Sequence, residues 1–154
     1  HLVLSTLHTN DAPSTISRLM NMGIEPFLVA TSVNIIAAQR LVRRICSNCR
    51  EEMDAPIQAL LSVGFSEAEA PGIKLFQGRG CEKCSGTGYK GRVGLFEVME
   101  ITEDVRELVL SGATAVELRR KAIEEGMVTL RQSGLHKIRE GVTTVEEVVR
   151  ETVA

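Results

Sequence analysis

Two cysteine pairs carry the most explicit chemistry in this sequence: Cys46-x-x-Cys49 and Cys81-x-x-Cys84, with no other cysteine among the 154 residues. Four thiolates at this spacing complete a tetrahedral zinc shell. An all-sulfur shell is closed, so the metal keeps no position open for water or substrate and has no Lewis-acid role. The sequence therefore predicts a structural zinc held by Cys46, Cys49, Cys81 and Cys84. The competing readings are two disulfides of a secreted domain, or four buried thiols of no special role. Glycine-rich turns beside the pairs favour the metal, and no signal-peptide pattern or transmembrane run within these residues points to an oxidising compartment. Gly86 and Gly88 follow the last thiolate and Gly78 and Gly80 precede the second pair, where positive φ aims backbone N–H groups at sulfur. Thirty-one residues lie between Cys49 and Cys81, room for a helix and a strand, so the metal would staple two distant turns.

The elements that must position these ligands can be read along the chain. Residues 2–7, Leu2-Val3-Leu4-Ser5-Thr6-Leu7, form a short apolar run that reads as a buried strand of a parallel sheet needing partners. Asn10 or Asp11 then caps a helix with Pro13 in its first turn and Ile16, Leu19 and Met20 on its apolar face, ending at Gly23. A second helix starts at Pro26 and carries Phe27, Leu28, Val33, Ile36 and Ala37. Residues 39–46 read as a strand delivering the first cysteine pair. A short helix over 56–63 and a strand over 73–77 fill the interval between the pairs, and a further strand covers 92–101. From Thr102 the chain turns charged and helix-forming, with glycines 112, 126 and 141 at helix ends. Thr114-x-x-Glu117 and Thr144-x-x-Glu147 read as capping boxes. Four helices are expected there, over about 103–111, 115–125, 128–140 and 145–152.

Composition excludes some classes. The chain is 44% hydrophobic and 25% charged, as expected of a globular protein with a real core. Its net charge of -2 offers no global attraction to nucleic acid or anionic lipid, and aromatics at 3% without tryptophan remove the stacking platform of a single-strand binder. The chain begins with His1 and runs straight into an apolar segment, which reads as a piece cut from a longer protein.

Several motifs together are similar to one family. The run from His1 to Ala12, HLVLSTLHTNDA, resembles the histidine box of the secretion ATPases that drive type II secretion and type IV pilus assembly. Gln39-Arg40-Leu41-Val42-Arg43 ahead of Cys46-x-x-Cys49, then Cys81-x-x-Cys84-x-Gly-x-Gly-Tyr89-x-Gly91-Arg92, resembles that family's tetracysteine zinc module. Gly141-Val142-Thr143-Thr144-Val145-Glu146-Glu147-Val148 is similar to its C-terminal helix. The resemblance covers essentially the whole chain in order.

The resemblance implies an α/β fold: a partial RecA-like parallel sheet in residues 1–45, a tetracysteine zinc module in 46–101 and a C-terminal helical subdomain in 102–154. It implies the C-terminal part of a homo-hexameric ATPase, cytoplasmic and peripheral to the inner membrane, using ATP and Mg2+ and acting on an inner-membrane platform protein and the pilus or secretion machinery, with no specific nucleic acid. The module favours the assembly or secretion branch over the retraction ATPases, which lack it by family pattern. No G-x-x-x-x-G-K-[ST] occurs in these residues, so the phosphate-binding loop and acidic boxes are expected upstream and the piece alone is expected to be inactive.

His8 follows the expected buried strand at its carboxyl end, where open α/β sheets place their ligand crevice, and an imidazole there can hydrogen-bond a phosphate or a water. The resemblance makes that a γ-phosphate sensing role, with the general base an upstream glutamate. Against this stands a histidine that only braces a turn. Gln39, Arg40 and Arg92 are candidates for a nucleotide or a subunit interface, with Arg43 and Arg44 beside them; a solvated strand face is the competing reading. Two further classes remain open. Basic residues around the metal turns suit a zinc-ribbon nucleic-acid module, and Cys81-x-x-Cys84-x-Gly-x-Gly is also seen in zinc-dependent chaperone-like modules, although Cys46-Ser47-Asn48-Cys49-Arg50-Glu51 breaks that repeat.

Overall fold

A computed structural model describes residues 1–54 and 56–152. Among them are seven α-helices and four strands: α1 (Pro13–Asn21), α2 (Pro26–Ser32), β1 (Ile35–Ile45), β2 (Arg50–Met53), α3 (Ile57–Val63), β3 (Leu75–Gly78), β4 (Tyr89–Glu100), α4 (Glu103–Leu110), α5 (Ala115–Glu124), α6 (Leu130–Arg139) and α7 (Val145–Glu151). The fold is mixed α/β. β1 pairs with β4 and β2 with β3, giving two two-stranded sheets. None of the described helices is long and apolar enough to cross a membrane.

The chain divides into two compact units, each built from two separate stretches. The first comprises His1–Gln39 and Phe96–Thr129, the second Arg40–Leu95 and Leu130–Ala154. In the first unit Ala12, Ile16, Val29, Ala30, Ile36, Met99, Ile101, Val105, Val109, Leu118, Ala122 and Met127 form one core. Val105 with Val109 on α4, and Leu118 with Ala122 on α5, recur four apart, as the apolar stripe of a packed helix does. In the second unit a smaller core joins Leu60, Val63 and Phe65 to Leu75, Leu135, Ile138 and Val148.

Two expectations for the chain before β1 change. Residues 1–9 form no strand: Leu2, Val3 and Leu4 are 77–89% exposed, and no described strand lies alongside to take up their backbone groups. The parallel sheet expected there is accordingly not formed by the described residues. The second helix stops at Ser32, because Ile36 and Ala37 belong to β1, which pairs with β4. The Ile101 amide donating to the Asn34 carbonyl at 2.9 Å continues that alignment past the strand ends, and β-branched Val33, Ile35 and Ile36 suit it.

The C-terminal helices lie where their caps put them. Thr114 and Glu117 form a complete capping box at α5, each satisfying the other's backbone N–H. At α7 only half of the expected box is made. Thr144 accepts the Glu147 amide, but the Glu147 carboxylate turns to Arg43 instead.

Candidate metal centre

The two paired sheets converge on two tight turns. β1 ends at Ile45, one residue before Cys46, and β2 begins at Arg50, one residue after Cys49. β3 ends at Gly78, and β4 resumes at Tyr89 beyond the second pair. The antiparallel register of β2 and β3, Arg50 opposite Gly78 through Met53 opposite Leu75, zips the strand leaving the first turn to the strand entering the second. Two backbone bonds then tie the turns together, Cys46 N–H to the Gly88 carbonyl at 2.9 Å and Arg79 N–H to the Cys49 carbonyl at 3.0 Å.

The second turn is a 3-10 turn over Glu82–Cys84 followed by Ser85 at φ 53°, a left-handed residue that reverses the chain. Gly88 is required twice over. Its φ is +76°, and its backbone packs against that of Gly78 so closely that a Cβ on Gly88 would fall 3.0 Å from the Gly78 carbonyl carbon and closer still to its oxygen.

This scaffold brings the four cysteine sulfurs within 4.8 Å of one another, so that they could hold a metal ion. Cys46 and Cys81 sulfurs are 3.9 Å apart, Cys49 and Cys84 3.9 Å, and Cys81 and Cys84 3.7 Å. Tetrahedral zinc at about 2.3 Å from each sulfur requires sulfur separations of about 3.8 Å, so the donor set fits that ion. None of the four is in a disulfide.

Hydrogen bonds prepare the sulfurs for negative charge. Gly80 N–H donates to Cys49 Sγ at 3.3 Å, Cys81 N–H to Cys84 Sγ at 3.2 Å, Gly88 N–H to Cys84 Sγ at 3.3 Å, and the Asn48 side-chain amide to Cys81 Sγ at 3.4 Å. Burial alone would push the Cys84 thiol up, but the Cys81 and Gly88 amides outweigh it and bring the group down to about 6. The Asn48 amide lowers Cys81 in the same way. Cys49 goes up to about 12, through burial and the neighbouring sulfurs, with the Gly80 amide opposing. A divalent cation bound here would favour the thiolate form of all four.

The other candidate residues lie elsewhere. His8 is exposed, in the irregular stretch before α1. Gln39 and Arg40 are neighbours on β1, the first exposed and the second half-buried, and Arg92 is exposed on β4. Arg44 and Arg92 make no ion pair among the described residues. Arg43 is committed internally: its guanidinium stacks 4.1 Å from the Tyr89 ring centroid and pairs with Glu147. Asn48 was not identified from sequence as part of this site, nor were Tyr89 and Glu147 as the partners of Arg43. An amide-bearing residue inside a C-x-x-C turn is the one signal that could have found Asn48.

Comparison with known proteins gives the family. The profile of the family described as Type II/IV secretion system protein matches residues 1–150. The type IV pilus assembly ATPase PilB of Myxococcus xanthus is 51% identical over 153 residues, which is 99% of this chain and 27% of that protein. The PilB of Thermus thermophilus is 44% identical over 99% of this chain and 17% of its own length. The type II secretion system protein E of Dickeya dadantii is 45% identical over 99% of this chain and 30% of its own. The chain thus spans less than a third of these relatives. With a match over residues 1–150 and identities at this level, the chain belongs to the Type II/IV secretion system protein family.

Proposed function

We propose that these residues are the C-terminal part of a hexameric cytoplasmic ATPase, peripheral to the inner membrane, that powers type IV pilus assembly or type II protein secretion. The observation that carries the reading is the match over 99% of the chain to proteins named as pilus assembly ATPases. In this reading residues 1–45 continue a RecA-like nucleotide-binding core, 46–101 form the metal-binding module and 102–154 the helical subdomain that docks on neighbouring subunits and the membrane platform. ATP and Mg2+ bind to the whole protein, whose phosphate-binding loop lies outside these residues. His8 senses the γ-phosphate, and Gln39, Arg40 and Arg92 face nucleotide or a neighbouring subunit.

Cys46, Cys49, Cys81 and Cys84 hold the zinc, which supplies a rigid four-way cross-link and no reaction chemistry. The chain's own residues do the rest. The N–H groups of Gly80, Cys81 and Gly88 fix the sulfur positions, and the paired strands carry that rigidity from the turns into β1 and β4.

The test uses the full-length protein and its His8→Ala variant, compared at equal ring assembly and equal zinc content. ATP turnover should fall by about 100-fold if His8 stabilises the phosphate in the reacting state. Unchanged turnover would reduce His8 to architecture and direct attention to Arg40 and Arg92.

A further inference from the structure

The short stretch after His8 is anchored to three elements. Within the turn, Thr9 Oγ1 donates to the Asp11 carbonyl at 3.1 Å and lies 2.9 Å from Thr15 Oγ1. Asp11 divides its carboxylate. Oδ1 accepts the Ser14 amide at 2.8 Å, capping the first turn of α1, while Oδ2 accepts Arg119 Nη2 from α5 at 2.6 Å. The next residue, Ala12, donates its amide at 2.8 Å to Glu97 Oε1 on β4, and Glu97 is 1% exposed.

A helix cap explains only part of this. Asparagine, serine or threonine would serve the Ser14 amide equally well. An aspartate adds a second, charged oxygen, and the fold brings a guanidinium to it from 108 residues further along the chain. The two side chains are 16% and 29% exposed, so the pair is partly withdrawn from water and is held more firmly than a surface ion pair. Burial would push the Asp11 carboxyl up, but the Ser14 contacts and Arg119 together hold it below the ordinary aspartate range, so it stays ionised. α5 is itself fixed: Leu118 and Ala122 are buried in the first core, and Lys121 pairs with Asp104 and Glu125. Arg119 therefore transmits the position of a packed helix to residue 11, three residues from His8.

We propose that Arg119, acting through Asp11, is a positioning residue for His8, holding residues 9–12 so that the imidazole is presented at one place. The inference rests on the reading of His8 as the phosphate-sensing group. Arg119 touches no nucleotide in this scheme. Its effect comes from geometry, since a misplacement of about 1 Å can cost about 100-fold in rate.

The experiment compares the full-length wild type with His8→Ala, Arg119→Ala, Arg119→Lys and the His8→Ala/Arg119→Ala double variant, with ring assembly followed by light scattering. Arg119→Ala should lower kcat about 10-fold with KM for ATP little changed, Arg119→Lys should recover most of the loss, and the double variant should be no slower than His8→Ala alone. Hydrogen exchange in the segment around residues 5–12 should rise in Arg119→Ala. If His8→Ala is impaired while Arg119→Ala turns over normally, the positioning role is overturned and the His8 reading stands. Losses that multiply in the double variant also overturn it, because Arg119 would then act by another route. A fully active His8→Ala removes both. Should Arg119→Ala fail to assemble, Asp11→Asn replaces it with the same outcomes, since it keeps an acceptor for the Ser14 amide and drops only the charge.

Discussion

The carboxylate of Glu147 on α7 holds both the backbone and the side chain of Arg43 on β1. Oε2 accepts the Arg43 amide at 2.9 Å, and Oε1 accepts Nε at 3.0 Å and Nη2 at 2.8 Å. Arg150 adds a further bond to Oε2 at 2.9 Å. The Glu147 side chain is fully buried and Arg43 is 44% exposed, so the anion has given up water and the cation has not. Thr143 Oγ1 donating to the Arg43 carbonyl at 2.8 Å and Ile45 N–H donating to the Val142 carbonyl at 2.8 Å complete the seam, ending beside Cys46.

Glu147→Ala should destabilise the second unit by about 2–4 kcal/mol, because it deletes several charge-assisted bonds and leaves the Arg43 amide without its acceptor. Glu147→Gln should cost less, since the amide oxygen still accepts one N–H. Denaturant unfolding of the three proteins, at equal metal content, measures the order.

The same contact has a pH signature. Burial raises the Glu147 carboxyl, but hydrogen bonds and charge from Arg43, with Arg150 behind them, more than offset it and hold the group below the ordinary glutamate range. A depressed folded value means the contribution is fully present above the unfolded value and is lost as pH falls through the folded one. The difference in Tm between wild type and Glu147→Gln should therefore be largest near neutrality and shrink below about pH 4. A difference that stays constant down to pH 3 would contradict this.

Metal analysis should find one zinc per chain. Cys84→Ser should lose the metal most completely, because two backbone N–H groups already commit Cys84 to the thiolate form. Asn48→Ala should keep the stoichiometry but weaken affinity by about 10-fold through loss of the bond to Cys81. Competition with a chromophoric chelator reads both.

Gly134→Ala separates helix propensity from packing. Alanine in a helix interior ordinarily gains about 1 kcal/mol over glycine. At Gly134 on α6 the added Cβ would lie 2.9 Å from Val148 Cγ2, and closer still to Cγ1, against a side chain that is fully buried. Overpacking costs about 1–3 kcal/mol, so the substitution should be net destabilising. Adding Val148→Ala should relieve it, giving a double variant more stable than the sum of the single losses.

The local signals were legible to different depths. The cysteine cluster was readable because two C-x-x-C pairs specify a donor set without reference to the fold. The helices after Thr102 were readable because Thr114 with Glu117, and the glycines at 112, 126 and 141, mark ends that local chemistry alone dictates; all three glycines have positive φ. Glu147 was misread as a cap. Its spacing from Thr144 fits a capping box, and nothing local reveals an arginine 104 residues earlier that outbids the cap for the carboxylate. Leu2 to Leu7 misled for the opposite reason: an apolar run states a preference for burial, whereas a strand also needs a neighbour to pair with. Asp11 looked like one of two possible caps, and only the tertiary approach of α5 assigns its second oxygen.

The two-stretch construction of each unit sets an order on synthesis. Once Cys84 has left the ribosome, all four cysteines of the candidate metal centre exist, before the later helices are made. Leu118 and Ala122, which the first core needs, come afterwards, and Glu147 comes later still. Until then Arg43 waits beside the metal turns without its counter-ion, and both units depend on chain that emerges after residue 95.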